Sequence, residues 1–381
     1  MAYFILGALL GRLGIINKLY LYSEPLSSNW GWVKFVNNTD SSTVSSDGPI
    51  LIQQNGKWTS YAIVPKDGNF VLSKTVISRR DTLRCYVDEP KQSFWFLLQN
   101  NLVVQPSTYA MPTKLLAISD IEGNFWGFKA ILKGANVIDD DLNWTFGNGH
   151  LVLVGDFFDR GLNVTECLWL IYKLETEAEK NGGKVHFLLG NHEVMNLKGA
   201  FKYVRNKYWH NADTLQLDYE KWYAKNTELG KWLRTKNSVE KIGDFLFAHG
   251  GINRKLAKKR YSLAQINDNT RESIDEALTE NEAEQNPFTD IDSPVWYRGI
   301  VQQRETQQEI EQTLKQFNAT KMIVGHTIVN EIKYLYNQKV IALDLDHKTN
   351  AENGKMYALW FENERFFVID HHGNQATLGN K

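Results

Sequence analysis

The chain has 381 residues, 43% of them hydrophobic and 23% charged, which is an ordinary composition for a soluble globular protein. Its formal net charge of −1 gives no reason to expect an anionic membrane surface or a nucleic acid as a partner. The two cysteines, Cys85 and Cys167, cannot form a disulfide framework. The length corresponds to two domains or one large one.

Residues 1–36 are interpreted as an apolar segment followed by a linker. The apolar run at residues 3–11 is interrupted by Arg12 and is shorter than the roughly 20 residues that a membrane-spanning helix needs. No basic residue precedes the run, as one would in an export signal. Three interpretations stay open: a packed or partly disordered segment, a shortened export signal, or a weak membrane anchor at residues 3–16. The protein is expected in the cytoplasm, or in the cell envelope if the segment is a signal or an anchor.

Residues 37–110 are predicted to form a small β-rich module. The first part, up to residue 48, is rich in Ser, Thr, Asn and Asp and has no hydrophobic period, which is typical of a loop. Short apolar runs follow, separated by dipeptides such as Asn55-Gly56 and Asp67-Gly68 that favour hairpin turns. The module contains no cluster of metal-binding residue types, so a structural or interaction role is expected.

Residues 111–381 are predicted to form an α/β domain, because strand-like runs alternate there with helix-like ones. Two polar inserts, at about residues 197–243 and 254–290, are expected to cover the site as helical caps. Five apolar runs each end abruptly in polar residues. Buried strands of α/β proteins present functional groups at their carboxyl ends, so the five ends can converge on one site. The five polar clusters are Asp120-Ile121-Glu122-Gly123-Asn124, Gly155-Asp156-Phe157-Phe158-Asp159-Arg160-Gly161, Gly190-Asn191-His192-Glu193, His249-Gly250-Gly251 and Gly325-His326-Thr327.

The second cluster has the most specific pattern. Its two glycines suit a tight strand-to-helix turn, Asp156 could bridge two cations, and Arg160 is the planar donor that matches phosphate oxygens. A salt-bridged turn would also account for this segment taken alone. It would not account for Gly190-Asn191-His192-Glu193 one strand later.

Together the clusters resemble the calcineurin-like metallophosphoesterases, in the phosphoprotein phosphatase branch. The stretch at residues 190–199, with Ser293-Pro294-Val295-Trp296-Tyr297-Arg298, is most similar to the bacterial Shewanella-like phosphatases. The resemblance runs from about residue 114 to the C-terminus. It implies a four-layer αββα sandwich with helical cap inserts, here preceded by the β-rich module. It also implies a dinuclear metal-dependent phosphatase that acts on phosphomonoesters.

The resemblance further implies a ligand set for two divalent ions. Asp120 would bind the first ion, and Asp156 would bridge both. The second ion would be completed by Asn191, His249 and His326. Manganese is expected, with iron, zinc or magnesium as alternatives. Two ions about 3.5–4 Å apart can convert a bridging water into a hydroxide that attacks phosphorus in line.

The same resemblance implies four catalytic residues. Arg160 and Arg298 would grip the phosphoryl oxygens. His192 would protonate the leaving oxygen, and Asp159 would fix the orientation of its ring. No covalent phosphoenzyme is needed.

This sequence departs from the family at the first cluster, where Asp-x-His-Gly is usual and Asp120-Ile121-Glu122-Gly123 stands instead. Glu122 is either an oxygen ligand, which would favour Mn²⁺ or Mg²⁺ over Zn²⁺, or a solvated loop residue whose presence means that one metal is lost. As a ligand, its extra negative charge would shift the rate profile to alkaline pH. A second departure is Ala200, where related phosphatases often have Asp.

Two other functions stay open. One is hydrolysis of nucleotide polyphosphates of the diadenosine tetraphosphate type, since that branch also ends in Gly-His-Thr and Trp209, Trp222 or Trp232 could stack on a base. The other is a degenerate binding protein without catalysis. The segment at residues 344–347 is interpreted as a loop near the site, from which His347 could approach the metals. The sequence does not determine the oligomeric state.

Overall fold

The computed structural model describes residues 16–21, 33–37, 40–88, 91–276 and 286–379, and the predicted apolar segment up to residue 15 lies outside these ranges. The strands are β1 (Ile16–Leu21), β2 (Val33–Asn37), β3 (Asp47–Gln54), β4 (Lys57–Lys66), β5 (Asn69–Ile77), β6 (Leu83–Val87), β7 (Gln92–Phe96), β8 (Thr108–Tyr109), β9 (Lys114–Ile118), β10 (His150–Leu153), β11 (Lys184–Phe187), β12 (Val239–Ile242), β13 (Phe245–Ala248), β14 (Lys321–Val324), β15 (Lys333–Leu335), β16 (Val340–Ala342), β17 (Tyr357–Glu362), β18 (Arg365–Asp370) and β19 (Gln375–Thr377). The helices are α1 (Phe125–Gly134), α2 (Val164–Lys180), α3 (Asn191–Leu197), α4 (Asn206–Leu215), α5 (Glu228–Leu233), α6 (Arg254–Ala257), α7 (Leu263–Asp275), α8 (Gln307–Gln316) and α9 (His347–Glu352).

Two six-stranded sheets form the centre of the molecule, in the orders β11-β10-β9-β17-β18-β19 and β15-β16-β14-β13-β12-β8. Strands β9, β10 and β11 are parallel, as are β13, β14 and β16. Successive side chains of a strand point to opposite faces, so each apolar run supplies two cores. The inner core joins side chains such as Ala117 and Val152 of the first sheet to Phe247 and Ile323 of the second.

Helices cover the outer face of each sheet. On the first sheet, Ile118 and Leu151 pack with side chains of α1 and α2 such as Phe128 and Leu168. On the second sheet, side chains of β13 and β14 pack with α6, α7 and α8. The layer order is therefore helix, sheet, sheet, helix. The predicted four-layer αββα sandwich is confirmed.

The predicted antiparallel β-rich segment before the sandwich is also present. Strands β3, β4 and β5 form one sheet, and β6 pairs with β7. These strands share a continuous core with α2: the rings of Phe96 and Trp169 stack 4.3 Å apart, and the indole of Trp169 donates to the carbonyl of Pro49 at 3.0 Å. The buried ammonium of Lys207 lies 3.3 Å from Glu166 and 3.6 Å from Asp47, which adds a charged contact across the same boundary.

The two predicted inserts contribute to the layers as well as to the surface. Residues 197–243 form α4, a 3-10 turn at Tyr219–Lys221, α5 and strand β12. Within this insert Trp209, Trp222 and Trp232 are only 6%, 0% and 0% exposed, so these rings are core residues. Helices α6 and α7 of the second insert lie on the outer face of the second sheet.

Among the described residues, no helix combines the length and the apolar character needed to cross a bilayer.

Candidate metal centre

The polar clusters meet at one edge of the sandwich because the strands that precede them are hydrogen-bonded neighbours. The backbone N–H of Asp120 donates to the carbonyl of Gly155 at 3.0 Å, and that of Gly325 donates to His249 at 2.9 Å. Leu188 donates likewise to Leu153 at 2.9 Å. The structure thus brings together residues from all five clusters, which are separated by up to about two hundred positions in the chain.

The imidazole of His249 lies at the centre of the site formed by the five clusters. Its Nε2 atom lies 3.0 Å from Oδ2 of Asp156, 3.2 Å from Oδ1 of Asn191 and 3.1 Å from Nδ1 of His326. Its Nδ1 atom donates to the carbonyl of Val154 at 2.7 Å, which fixes the ring and directs Nε2 into the cluster. Two imidazoles, a carboxylate and an amide oxygen that face one another at these distances are a donor set suited to a divalent ion.

The electrostatics of the cluster also require a positive charge. Burial lowers the pKa of His249, but Asp156 and Asp120 outweigh it and raise that pKa to about 10. Burial raises the pKa of Asp120 to about 6, with the imidazole of His249 opposing the shift. Burial also favours protonation of Asp156, but His249 and His192 hold its pKa below the usual range. Buried carboxylates are stable only with a cationic or hydrogen-bonded partner, so the residues present fit bound metal.

Several predicted site residues have a left-handed backbone, which non-glycine residues adopt at a cost. The φ angles are 54° at Asp120, 49° at Glu122, 60° at Asp156, 68° at Asp159 and 63° at His326. Such conformations concentrate at functional sites, where the surrounding structure enforces them. The strand ends therefore turn sharply and present their side chains to one another.

Gly155 and Gly190 occupy positions where a larger side chain would clash. A Cβ atom at Gly155 would lie 2.8 Å from Cα of Gly190 and 2.8 Å from Nδ1 of His249. A Cβ atom at Gly190 would collide with the carboxylate of Asp156. Both positions need glycine because two strand ends and the central imidazole approach one another here.

Glu193 anchors the loop that carries Asp156. It is fully buried, and its carboxylate accepts backbone N–H groups from Asp156 at 2.9 Å, Phe157 at 2.7 Å, Phe158 at 3.3 Å and Gly190 at 2.7 Å. Burial and the charge of Asp156 raise its pKa to about 7. The sequence pattern predicts no catalytic or ligand role for Glu193, although the residue belongs to the Gly-Asn-His-Glu cluster.

His192 and Asp159 form the pair that the sequence predicts. Nδ1 of His192 donates to Oδ2 of Asp159 at 2.5 Å, while Nε2 lies 3.9 Å from Oδ2 of Asp156. Burial opposes protonation, but Asp156 and Asp159 raise the pKa of His192 above its ordinary value. The raised pKa favours the form of His192 that carries a proton on Nε2 as well as on Nδ1.

Two residues outside the predictions hold Asp159 in turn. The side-chain amide of Asn196 donates to Oδ1 of Asp159 at 3.0 Å, and the hydroxyl of Tyr219 donates to Oδ1 of Asn196 at 3.1 Å. Asn196 is recognisable in retrospect, because it is four positions after His192 and so lies on the same face of α3. Tyr219 comes from the first insert, and no nearby sequence pattern predicts its contact with Asn196.

Glu122 and Arg160 lie beside the cluster and form an ion pair with each other. The Glu122 side chain is 16% exposed, and its carboxylate also lies within 4.8 Å of possible ligand atoms of Asp156 and His192. The Arg160 side chain is 43% exposed, and its guanidinium lies 5.3 Å from the centre of the Tyr203 ring. Glu122 is therefore placed between the metal-binding group and the arginine.

Arg298 contacts the cluster at His326. Its guanidinium donates to the backbone carbonyl of His326, and the ring of the nearby Trp296 meets the His326 imidazole edge-on at 5.9 Å. The side chain is exposed, as expected of a residue that contacts a ligand at the mouth of a site.

The N-terminal part of the chain contacts the loop that carries Arg160 through an ion pair between Asp40 and Arg205. Arg205 binds the carboxylate of Asp40 through Nε at 2.7 Å and Nη2 at 2.8 Å, and donates from Nη1 to the carbonyl of Arg160 at 2.9 Å. Although burial opposes it, the pairing with Arg205 lowers the pKa of Asp40 well below its usual range. No sequence pattern predicts this contact, since Asp40 and Arg205 are 165 positions apart.

The segment at residues 344–347 does lie next to the site. Asp344 is buried near Asp120, and the carbonyl of His347 accepts a hydrogen bond from Asn124 at 3.2 Å. The His347 ring is buried too, but it is not part of either candidate ligand group found among the described residues. Its approach to the metals stays a prediction.

Comparison with known proteins agrees with this geometry. Residues 113–330 match the model of the calcineurin-like phosphoesterase family. The chain is 31% identical over 225 residues to Shewanella-like protein phosphatase 1 of Plasmodium berghei (strain Anka), a match that spans 56% of this chain and 61%, less than two thirds, of that relative. It is 28% identical over 298 residues to Shewanella-like protein phosphatase 2 of Arabidopsis thaliana, with 65% of this chain and 74% of the relative covered.

A solved structure is similar over most of the chain. The cold-active protein-tyrosine phosphatase of a psychrophilic Shewanella species superposes with a TM-score of 0.79 and 34% sequence identity, covering 88% of this chain and 100% of that one. The prediction of a phosphatase-like metallophosphoesterase is confirmed at the level of the family. The chain belongs to the calcineurin-like phosphoesterases, a family of phosphoester hydrolases, and resembles the Shewanella-like phosphatases within it.

Proposed function

We propose that this protein is a dinuclear metal-dependent phosphatase that hydrolyses phosphomonoesters, with phosphoproteins as the first substrate class to test. The observation that carries the proposal is the buried convergence of Asp156, Asn191, His249 and His326 around one point, with His192 and two arginines at its edge. The similar proteins are named as protein phosphatases, which supports this substrate class.

The residues that would hold the metals follow from the contacts. One ion would be held by Asn191, His249 and His326 and shared through Asp156. The other would be held by Asp120 and Asp156, with Glu122 within reach. We propose manganese for these sites. When bound, such ions polarise a phosphoryl oxygen and make water nucleophilic near neutral pH.

The chain's own groups would bind and orient the substrate and supply the proton. Nε2 of His192 holds a proton that the leaving oxygen needs, and Asp159 keeps the ring directed into the site. Arg160 and Arg298 can each offer N–H groups to phosphoryl oxygens. Arg160 is paired with Glu122, and it would become available to a phosphoryl group if the Glu122 carboxylate bound a cation instead.

Two competing functions are less well supported by the structure. Base stacking in a nucleotide polyphosphate hydrolase would need exposed rings, whereas the three tryptophans considered for it are buried. A binding protein without catalysis would have little reason to retain several buried charged groups, which are costly without partners.

A metal-resolved activity screen tests the proposal. The full chain, stripped with chelator and reloaded with Mn²⁺, Mg²⁺ or Zn²⁺, would be assayed on a phosphotyrosine peptide, a phosphoserine peptide and diadenosine tetraphosphate. We expect metal-dependent release of phosphate from a phosphopeptide, loss of that activity in Asp156→Asn, and retention in the exposed control Asp141→Asn. Preferred cleavage of the dinucleotide would favour the polyphosphate hydrolase. Bound metal without turnover of any substrate would favour the binding protein.

Replacing Glu122 by histidine should move the rate profile toward lower pH. A carboxylate leaves more negative charge beside the ion than a neutral imidazole, so the nucleophilic water deprotonates at a higher pH. The profile of kcat/KM against pH would be measured for the wild type, Glu122→His and Glu122→Gln. The glutamine variant removes the charge without adding an imidazole and should shift in the same direction. An unchanged or more alkaline profile in Glu122→His would show that Glu122 does not set the acidity of the site.

A further inference from the structure

Asp344 is a buried carboxylate that no predicted role accounts for. It is 2% exposed, and its Oδ1 atom has no hydrogen-bond partner among the residues that the structure describes. It follows strand β16, another apolar run that ends in an acidic residue. Most buried polar atoms in proteins are hydrogen-bonded, so an unpartnered carboxylate oxygen needs a physical explanation.

The backbone holds Asp344 firmly beside the metal centre. Leu343 donates to the carbonyl of Val324 at 3.0 Å, and the carbonyl of Asp344 accepts from Val329 at 2.9 Å. Val324 ends strand β14, and two residues later the backbone N–H of His326 donates to Oδ2 of Asp120 at 3.1 Å. Asp344 thus lies next to the strand end that carries His326, whose backbone binds Asp120, although neither Asp120 nor Asp344 belongs to the two candidate ligand groups found among the described residues.

The cations around the cluster are already engaged elsewhere. The imidazole of His249 contacts Asp156 at 3.0 Å. Arg298 acts on Asp344 only through its charge and donates its hydrogen bond to the carbonyl of His326. Arg160 is paired with Glu122. In the described part of the chain, no hydrogen bond or ion pair from a cationic side chain reaches the carboxylate of Asp344.

We propose that Asp344 is a ligand of the first metal ion, together with Asp120 and Asp156. The inference rests on the proposed dinuclear function and deepens it. A cation at this point would compensate the charges of three buried carboxylates. It would also explain how the first site functions without a histidine at position 122, because Asp344 supplies a ligand from a different strand. An all-oxygen donor set of this kind favours Mn²⁺ or Mg²⁺ over Zn²⁺.

The test compares Asp344→Asn with the matched control Asp346→Asn. Asparagine has nearly the shape of aspartate but lacks the charge. Asp346 is exposed, two positions further along, and caps α9 by accepting from the N–H of Thr349 at 3.0 Å, a role that asparagine can also fill. Metal content would be measured by elemental analysis after reloading with Mn²⁺. Thermal unfolding would be recorded with and without the metal.

We expect the wild type and Asp346→Asn to retain two Mn²⁺ ions per chain, and Asp344→Asn to retain one. Binding of the weaker ion should fall by at least ~10-fold, since even residues behind a ligand cost about 10–100-fold when removed. The gain in unfolding temperature on adding Mn²⁺ should be smaller for Asp344→Asn than for wild type.

Two ions in Asp344→Asn with unchanged affinity would overturn the assignment and would leave the proposed function intact. Absence of bound metal in the wild type would instead overturn the proposed function itself. Should Asp344→Asn not fold, Asp344→Glu keeps the charge and should bind the first ion more weakly than wild type.

Discussion

Replacing His192 by asparagine should lower kcat on a phosphoserine peptide by about 10²–10⁴-fold, which is the range of general acid catalysis. The fall should be much smaller on p-nitrophenyl phosphate, because nitrophenolate leaves without a proton whereas a serine alkoxide needs one. The structural basis is the buried ring, which is held by Asp159 at 2.5 Å and has its Nε2 atom directed toward the cluster. Steady-state kinetics on both substrates would measure the difference.

The pH profile gives a second readout of the same residue. The pKa of His192 lies above its ordinary value because Asp156 and Asp159 outweigh the effect of burial. The protonated form therefore persists to higher pH than in an ordinary histidine, and activity on phosphoserine should decline as the pH rises through that pKa. The substitution Asp159→Asn removes one of the raising charges, so the decline should begin at lower pH.

The exposed His372 provides a control, and His372→Asn should leave both substrates unaffected. An equal loss on phosphoserine and p-nitrophenyl phosphate in His192→Asn would mean that His192 binds or positions the substrate and does not protonate the leaving group.

Replacing Glu193 by alanine should destabilise the fold by about 4 kcal/mol or more, which is exceptional for a single substitution. The carboxylate accepts four backbone N–H groups in a fully buried position. Each hydrogen bond contributes roughly 0.5–1.5 kcal/mol, more when the acceptor is charged, and each buried donor left without a partner adds a penalty of about 1–3 kcal/mol. The loop that carries Asp156 would lose its anchor, so metal binding should weaken as well.

Urea unfolding of metal-free protein would measure the effect, since lost metal then plays no part. Glu193→Gln keeps one acceptor oxygen and should fall between wild type and Glu193→Ala. Glu179→Ala, at an exposed position on α2, should change stability by no more than about 0.5 kcal/mol. A Glu193→Ala midpoint close to that of Glu179→Ala would show that the four donors find other partners.

The local sequence was sufficient to predict the elements that carry the site. Strands such as β10 and β14 are short apolar runs that end in Gly-Asp or Gly-His, and both signals are readable within a few residues. Their convergence also followed, because parallel strands place their carboxyl ends at one edge of a sheet. For this reason the sequence places Asp156, Asn191 and His249 in one predicted site.

Tertiary structure alone decided which groups support that site. Strand β12 lies inside a segment expected to be a helical cap, because pairing with β13 outweighed its weak local pattern. The contact of Arg205 with Asp40, the burial of Trp222 and the position of Asp344 beside Asp120 all join distant parts of the chain. Hydrophobic periodicity and turn residues determine local secondary structure, whereas these contacts depend on how the layers of the fold pack together. The sequence by itself thus determined the metal-binding residue types and their order, and packing decided which buried charges face them.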